Sequence, residues 1–239
     1  MAVFSIPLRV LTVVVLSAFL CFSGTTQAQS TRTMTDTIAV DPDVEVELHA
    51  FRGHVEVTTW DRSAVRLHAE IESSDSASGD ASDVEVVQEA DTTLSIRPNG
   101  KTVESPGWFT VLDVMTWGRE EPDGPKTLYS VRVPADASVT LSLDAADAEV
   151  SGVTGEVRIR SVSSSVDVQD VRGPVFAGIL SGTLDAEGLR DELRMGTYSG
   201  DLRARFSTLV DDLHIFSYIG DSEITFPADA SFKLKTNIT

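Results

Sequence analysis

Apolar and polar residues alternate through the C-terminal half of the chain in short runs that recur every 18 to 20 residues. Written from an apolar start, the blocks are VTLSLDAADAEVSGVTGE from Val139, VRIRSVSSSVDVQDVRGP from Val157, VFAGILSGTLDAEGLRDE from Val175, LRMGTYSGDLRARFSTLVDD from Leu193 and LHIFSYIGDSEITFPADAS from Leu213. The first position is Val139, Val157, Val175, Leu193, Leu213 and then Phe232. The third is Leu141, Ile159, Ala177, Met195, Ile215 and Leu234. After a small polar turn the alternation resumes at the tenth and twelfth positions, as in Val166 and Val168 or Leu184 and Ala186. Period-two alternation in two runs, with β-branched residues inside and turn residues between, predicts two strands per block. The turns read Ala-Ala-Asp, Ser-Ser-Ser, Ser-Gly-Thr, Ser-Gly-Asp and Ile-Gly-Asp, in which Gly supplies backbone freedom and Asp or Ser satisfies local amides.

A two-strand unit buries its apolar face only against copies of itself, so stacking makes the core. The pattern predicts an all-β chain, a β-solenoid or β-helix-like stack of repeats of about 18 residues. Rungs would pair in parallel about 4.8 Å apart. In this register Ser222, although preceded by Gly-Asp, falls in the slot of Ala148, Val166, Leu184 and Leu202. That slot predicts a small inward residue rather than a nucleophile, and no G-x-S-x-G elbow accompanies it.

The N-terminal half is less regular. VELHAFRGHVEVTTWDRSA from Val46 has Leu48 in the third place, Gly53 in the turn, Val55 and Val57 in the second run, and Trp60 where Val153, Val171 and Leu189 close later rungs. Residues 46–96 therefore read as irregular rungs, 97–126 as a Trp-rich insertion and 127–239 as regular repeats, all within one domain over 29–239. PADASFKLKTNIT repeats the PADASVTLSL that begins the array, and the last rung reads as unfinished, with an open edge suited to self-association.

The start of the chain carries different information. Arg9 precedes an apolar run over residues 10–22, and Thr26 and Ala28 follow at the −3 and −1 places of a cleavage site. Residues 1–28 read as a cleaved secretory signal, the run being shorter than a bilayer span requires. The expected location is the periplasm, the cell surface or the medium, with no integral span after cleavage. Cys21 is the single cysteine, so cleavage leaves no thiol chemistry. Leu20 occupies the place where a lipidated cysteine wants a small residue.

Net charge is −18, and only Lys101, Lys126, Lys233 and Lys235 of the nineteen basic residues are lysine. Such a balance argues against nucleic acid or an anionic membrane surface as partner. Acid-rich, lysine-poor composition suits a salt-adapted exported protein.

The Ser-Gly-Asp turns within β repeats, the opening RGHVEVTTWDRSAVRLHAE and the strand YSVRVPADASV together resemble the bacterial extracytoplasmic repeat domains known as putative adhesins, a family of otherwise unknown function. The resemblance covers roughly residues 38–236. It implies a β-helical, exported, non-catalytic protein of envelope or envelope-stress settings, and it supplies no catalytic residues.

Three features carry candidate chemistry. Stacking sets outward Arg158, Arg160 and Arg194, with Lys233 and Lys235, on one face. It sets Glu149, Asp167, Asp185 and Glu223, interrupted by Arg203, on another. Like charges about 5 Å apart repel by roughly 1 kcal/mol even in water, so the acidic row invites salt or a cation. Calcium takes such oxygen ligands, and Asp147, Asp201 and Asp221 in the turns join Asp167 and Asp185 as candidates, without the nine-residue Gly-Asp repeat of calcium-loaded solenoids. Solvated rows are the simpler reading.

The second feature is GWFTVLDVMTWG, residues 107–118, with Trp108, Phe109 and Trp117. It reads either as a lid over the core or as a partner-docking loop. The third is histidine: His49, His54, His68 and His214 lack the spacing of a zinc site. The sequence thus describes a structural or adhesin-like binding module whose partner is a cell-surface or envelope component. The competing classes are a lyase-like enzyme acting on polysaccharide and a partner or sensor in an envelope-stress system.

Overall fold

The computed structural model describes residues 30–73, 84–89, 92–98, 126–208, 213–231 and 233. All twelve of their regular elements are strands. These are β1 (Ser30–Ala39), β2 (Glu45–Trp60), β3 (Ala64–Ser73), β4 (Val84–Glu89), β5 (Thr93–Pro98), β6 (Lys126–Pro134), β7 (Ser138–Ser151), β8 (Val157–Gln169), β9 (Val175–Leu189), β10 (Leu193–Phe206), β11 (Leu213–Ile219) and β12 (Ser222–Thr225). Residues 1–28, Trp108, Phe109, Trp117, Phe232 and Leu234 lie outside the described residues.

The strands form one mixed sheet. Its main path runs β1-β3-β6-β2-β7-β8-β9-β10-β11, with β12 beside β10 and the β4–β5 pair attached to β2. From β2 onward the neighbours along the path are parallel and in the register of the repeat. Val46 faces Val139, Val139 faces Val157, Val157 faces Val175, Val175 faces Leu193 and Leu193 faces Leu213. The start of the chain departs from this order. β3 runs antiparallel to both β1 and β6, so Val65 and Leu67 belong to an antiparallel flap rather than to a further rung.

Each predicted pair of runs is one long strand in β7, β8, β9 and β10. β11 and β12 alone keep the two-strand form. Burial explains how one strand serves two sides. In β8 the inward residues are Val157, Ile159 and Ser161, then Ser164, Val166 and Val168, so the inward parity switches between 161 and 164. Two outward residues in succession mark a corner, and Val171 buries again beyond it. All of these apolar residues join one hydrophobic cluster with their counterparts from β7, β9 and β10.

At that corner Gly182, Gly200 and Gly220 hold φ of 130°, 153° and 127°, a region that L side chains rarely adopt. Gly53 holds φ of 116° at the same place in β2, whereas the blocks from Val139 and Val157 turn without glycine. Ser164 uses its hydroxyl, which donates to the carbonyl oxygen of Ala146 at 2.5 Å and bonds the hydroxyl of Ser161. A buried hydroxyl is tolerated because it is satisfied.

Two expectations need correction. Ser222 keeps its register opposite Leu202 but is exposed. It stands on the last described strand beside β10, where its one described strand neighbour cannot enclose it. Trp60 is half-buried and outside the core cluster, unlike Val153, Val171 and Leu189. Its indole nitrogen donates to the Ala64 carbonyl at 2.7 Å, and Arg62 lies over its ring at 5.1 Å, so the ring braces the β2–β3 turn.

Candidate functional site: an arginine-aromatic groove

Stacking in register converts positions of the repeat into columns on the outer surface. The second position gives the column Arg158, Phe176, Arg194, His214, and the fourth gives Arg160, Gly178, Gly196, Phe216. The sixth position supplies Leu180, Tyr198 and Tyr218. Gly178 and Gly196 therefore lie side by side in mid-strand, with larger side chains around them. The result is an open groove of about 480 Å³ lined by these residues, apart from Tyr218 at its edge, and by Ile179, Met195 and Ile215 between them. This volume falls within the range of small-molecule sites.

The arginines of one wall are held in place. Arg158 pairs with Glu156, and Arg194 pairs with Glu192 at 2.6 Å, a Glu-x-Arg arrangement repeated on alternate rungs. Between them the Phe176 ring lies 5.0 Å from the Arg158 guanidinium carbon and 5.9 Å from that of Arg194. Cation–π contact from both sides fixes the ring between the two guanidinium groups. On the opposite wall Tyr198 and Tyr218 stack with centroids 4.9 Å apart and planes 14° apart, which is the rung spacing. Phe216, Tyr218 and Ile219 are 56, 62 and 55 % exposed, and they form the one run of exposed large hydrophobics among the described residues.

The acidic columns lie elsewhere. Glu56, Glu149, Asp167, Asp185, Arg203 and Glu223 follow one another in register. Arg203 reaches Asp185 at 3.6 Å. The turn aspartates also act across rungs: Asp147 accepts the Ser165 amide at 2.8 Å and Asp201 accepts the Asp221 amide at 3.1 Å. Among the described residues no three His, Cys, Asp or Glu side chains gather as a metal site, so the structure spreads Asp147, Asp167, Asp185, Asp201 and Asp221 over two columns. His49 approaches Asp144 at 3.8 Å, and His68 approaches Glu70 at 3.3 Å.

Of the sequence candidates, the structure brings together Arg158, Arg160 and Arg194 in one groove. Sequence reasoning missed Phe176, Gly178, Gly196, Tyr198 and Phe216. The signal was present in the aligned blocks, where Phe176 falls between two arginines and two glycines share an outward position that needs no turn.

No known family model matches the chain, and no curated protein matches it. Its similarity to solved structures is weak. A putative cell adhesion protein from Clostridium sporogenes is 10% identical, matches 81% of this chain and 99% of its own, and superposes with a TM-score of 0.41. A putative adhesin from Bacteroides fragilis is 9% identical, with 81% and 97% of the two chains covered and a TM-score of 0.35. A putative lipid binding protein from Parabacteroides distasonis is 12% identical, covering 80% and 96%, with a TM-score of 0.29. These superpositions are loose, so the site is read from this chain's own residues. Among those described, no helix is long and apolar enough to cross a membrane.

Proposed function

We propose that this chain is an exported, non-catalytic β-solenoid that serves as an adhesin-like binding module at the cell envelope, with the arginine-aromatic groove as its binding surface. The coil reading is supported by the parallel register that runs from Val46 to Leu213 without a slip in the first position. The single observation that carries the binding reading is the groove itself, where Arg158, Arg160 and Arg194 and the rings of Phe176, Tyr198 and Phe216 surround two glycines. The rigid ladder supplies pre-organisation, and aromatic and arginine side chains are those that most often anchor binding. The acidic columns then act as solvated, salt-responsive faces that keep the protein soluble.

The test compares residues 29–239 with the Arg158→Ala, Arg160→Ala, Arg194→Ala triple variant. Both are titrated onto the isolated envelope fraction of the organism that encodes the chain, with melting temperature as a folding control. The reading predicts saturable binding that falls at least tenfold in the variant. Equal binding by both proteins would move the surface elsewhere. Release of unsaturated product from an acidic polysaccharide, abolished by Arg158→Ala or Arg160→Ala, would instead establish a lyase.

A further inference from the structure

The two mid-strand glycines have no conformational reason to be glycine. Gly178 and Gly196 pair with each other, and neither has a positive φ, unlike the corner glycines. A Cβ on Gly196 would meet Phe216 atoms at 3.5 Å or more, an ordinary contact. Glycine in a strand interior weakens the strand and, without a bulge, marks a place where something approaches the backbone closely. Here it opens a trough along the stack.

The trough is polarised. Arg158 and Arg160 stand at one end, on β8, and Arg194, on β10, lines one wall two rung steps along. The far end, on β11, holds His214 and the exposed Phe216, with exposed Tyr218 and Ile219 beyond it. From β8 to β11 there are three rung steps, roughly 14 Å at about 4.8 Å per step. The fourth-position line, from Arg160 over Gly178 and Gly196 to Phe216, is cationic at one end and apolar at the other, the complement of an anion with an alkyl tail. A polyanionic glycan would place its further charges over the apolar end and against a chain of net charge −18.

We infer that the groove binds a single-chain anionic amphiphile, a long-chain carboxylate or its equivalent, with the head at Arg158 and Arg160 and the tail over Gly178 and Gly196 toward Phe216. This rests on the reading of the groove as the binding surface and names its occupant. Arg158 pairs with Glu156 through Nε, and the planar fork of N–H groups that a guanidinium presents suits a carboxylate. The tail displaces water from the trough and from the exposed rings, which is the favourable term for apolar burial.

The test is isothermal titration of residues 29–239 with laurate below its aggregation concentration. Dodecyl maltoside and dodecyltrimethylammonium supply the same tail with a neutral or cationic head, and trigalacturonate supplies anions without a tail. Laurate is expected to bind one to one, at least tenfold more tightly than each of the three. Arg158→Ala with Arg160→Ala should weaken it about tenfold. Gly178→Val with Gly196→Val should abolish it, and Gly196→Ala, which fits the fold, should weaken it measurably without lowering the melting temperature. No laurate binding, or binding indifferent to the glycine substitutions, overturns the proposal. If the arginine variant loses envelope binding while laurate fails to bind, the groove stands and only the amphiphile falls. Preferential binding of trigalacturonate would replace the amphiphile with an acidic glycan.

Discussion

The carbonyl oxygen of Ser164 occupies the space that a side chain on Gly182 would need, one rung away in the stack. The same relation recurs between Gly200 and the carbonyl of Gly182. With φ of 130° at Gly182, alanine there meets both a backbone clash and an unfavourable backbone conformation. Gly182→Ala should cost at least about 3 kcal/mol, or prevent folding. Gly196→Ala should be neutral or stabilise by about 0.5 kcal/mol, because alanine reduces the freedom of the unfolded chain. Urea denaturation of the two variants checks the contrast, and equal effects would mean that corner and trough glycines do one job.

The acidic column makes a salt prediction. Arg203 separates Asp185 from Glu223 and lies 3.6 Å from Asp185. Arg203→Glu would complete a run of like charges about 5 Å apart. A loss of roughly 1 kcal/mol is expected at low salt, since these groups are well exposed and screened. Sodium chloride should recover most of it, the Debye length falling to about 3 Å at 1 M. A deficit that persists in high salt would show that Arg203 acts through packing.

Tyr129 makes a pH prediction. It is fully buried on β6, between β2 and β3 in the sheet, and burial pushes its phenol up from 10.0 to about 12, with Thr127 acting in the opposite direction. Its hydroxyl has no partner in hydrogen-bonding geometry. The folded state holds this proton more tightly than the unfolded chain. Stability from the neutral phenol is therefore complete below about pH 10 and is lost as pH rises toward about 12. Tyr129→Phe should leave stability near neutral pH within about 1 kcal/mol. It should remove an alkaline loss on the order of 2 to 3 kcal/mol. Parallel pH-stability curves for the two proteins would contradict the assignment.

The inward positions of the repeat were legible because each block states them separately, and the structure stacks Val139, Val157, Val175 and Leu193 as the alternation requires. Ser161 and Ser164 were not legible as interior residues, since a hydroxyl is buried only when a partner across the rung satisfies it. The antiparallel pairing of β3 with β1 and β6 was equally hidden. It depends on which distant strands meet, and alternation within one strand carries no direction. The groove lay between these cases. Arg158, Arg160 and Arg194 were seen as outward, but the surface they share exists only after Phe176 and the two glycines are set beside them by stacking.

The central claim is that this groove is where the protein binds. Hydroxyl-radical footprinting with mass spectrometry, on residues 29–239 with and without the envelope fraction, reads the reactivity of individual aromatic side chains. The account predicts that labelling of Tyr198, Phe216 and Tyr218 falls on binding, while that of Trp60 and Phe226, outside the groove, is unchanged. Binding with undiminished labelling of Tyr198, Phe216 and Tyr218 would contradict it.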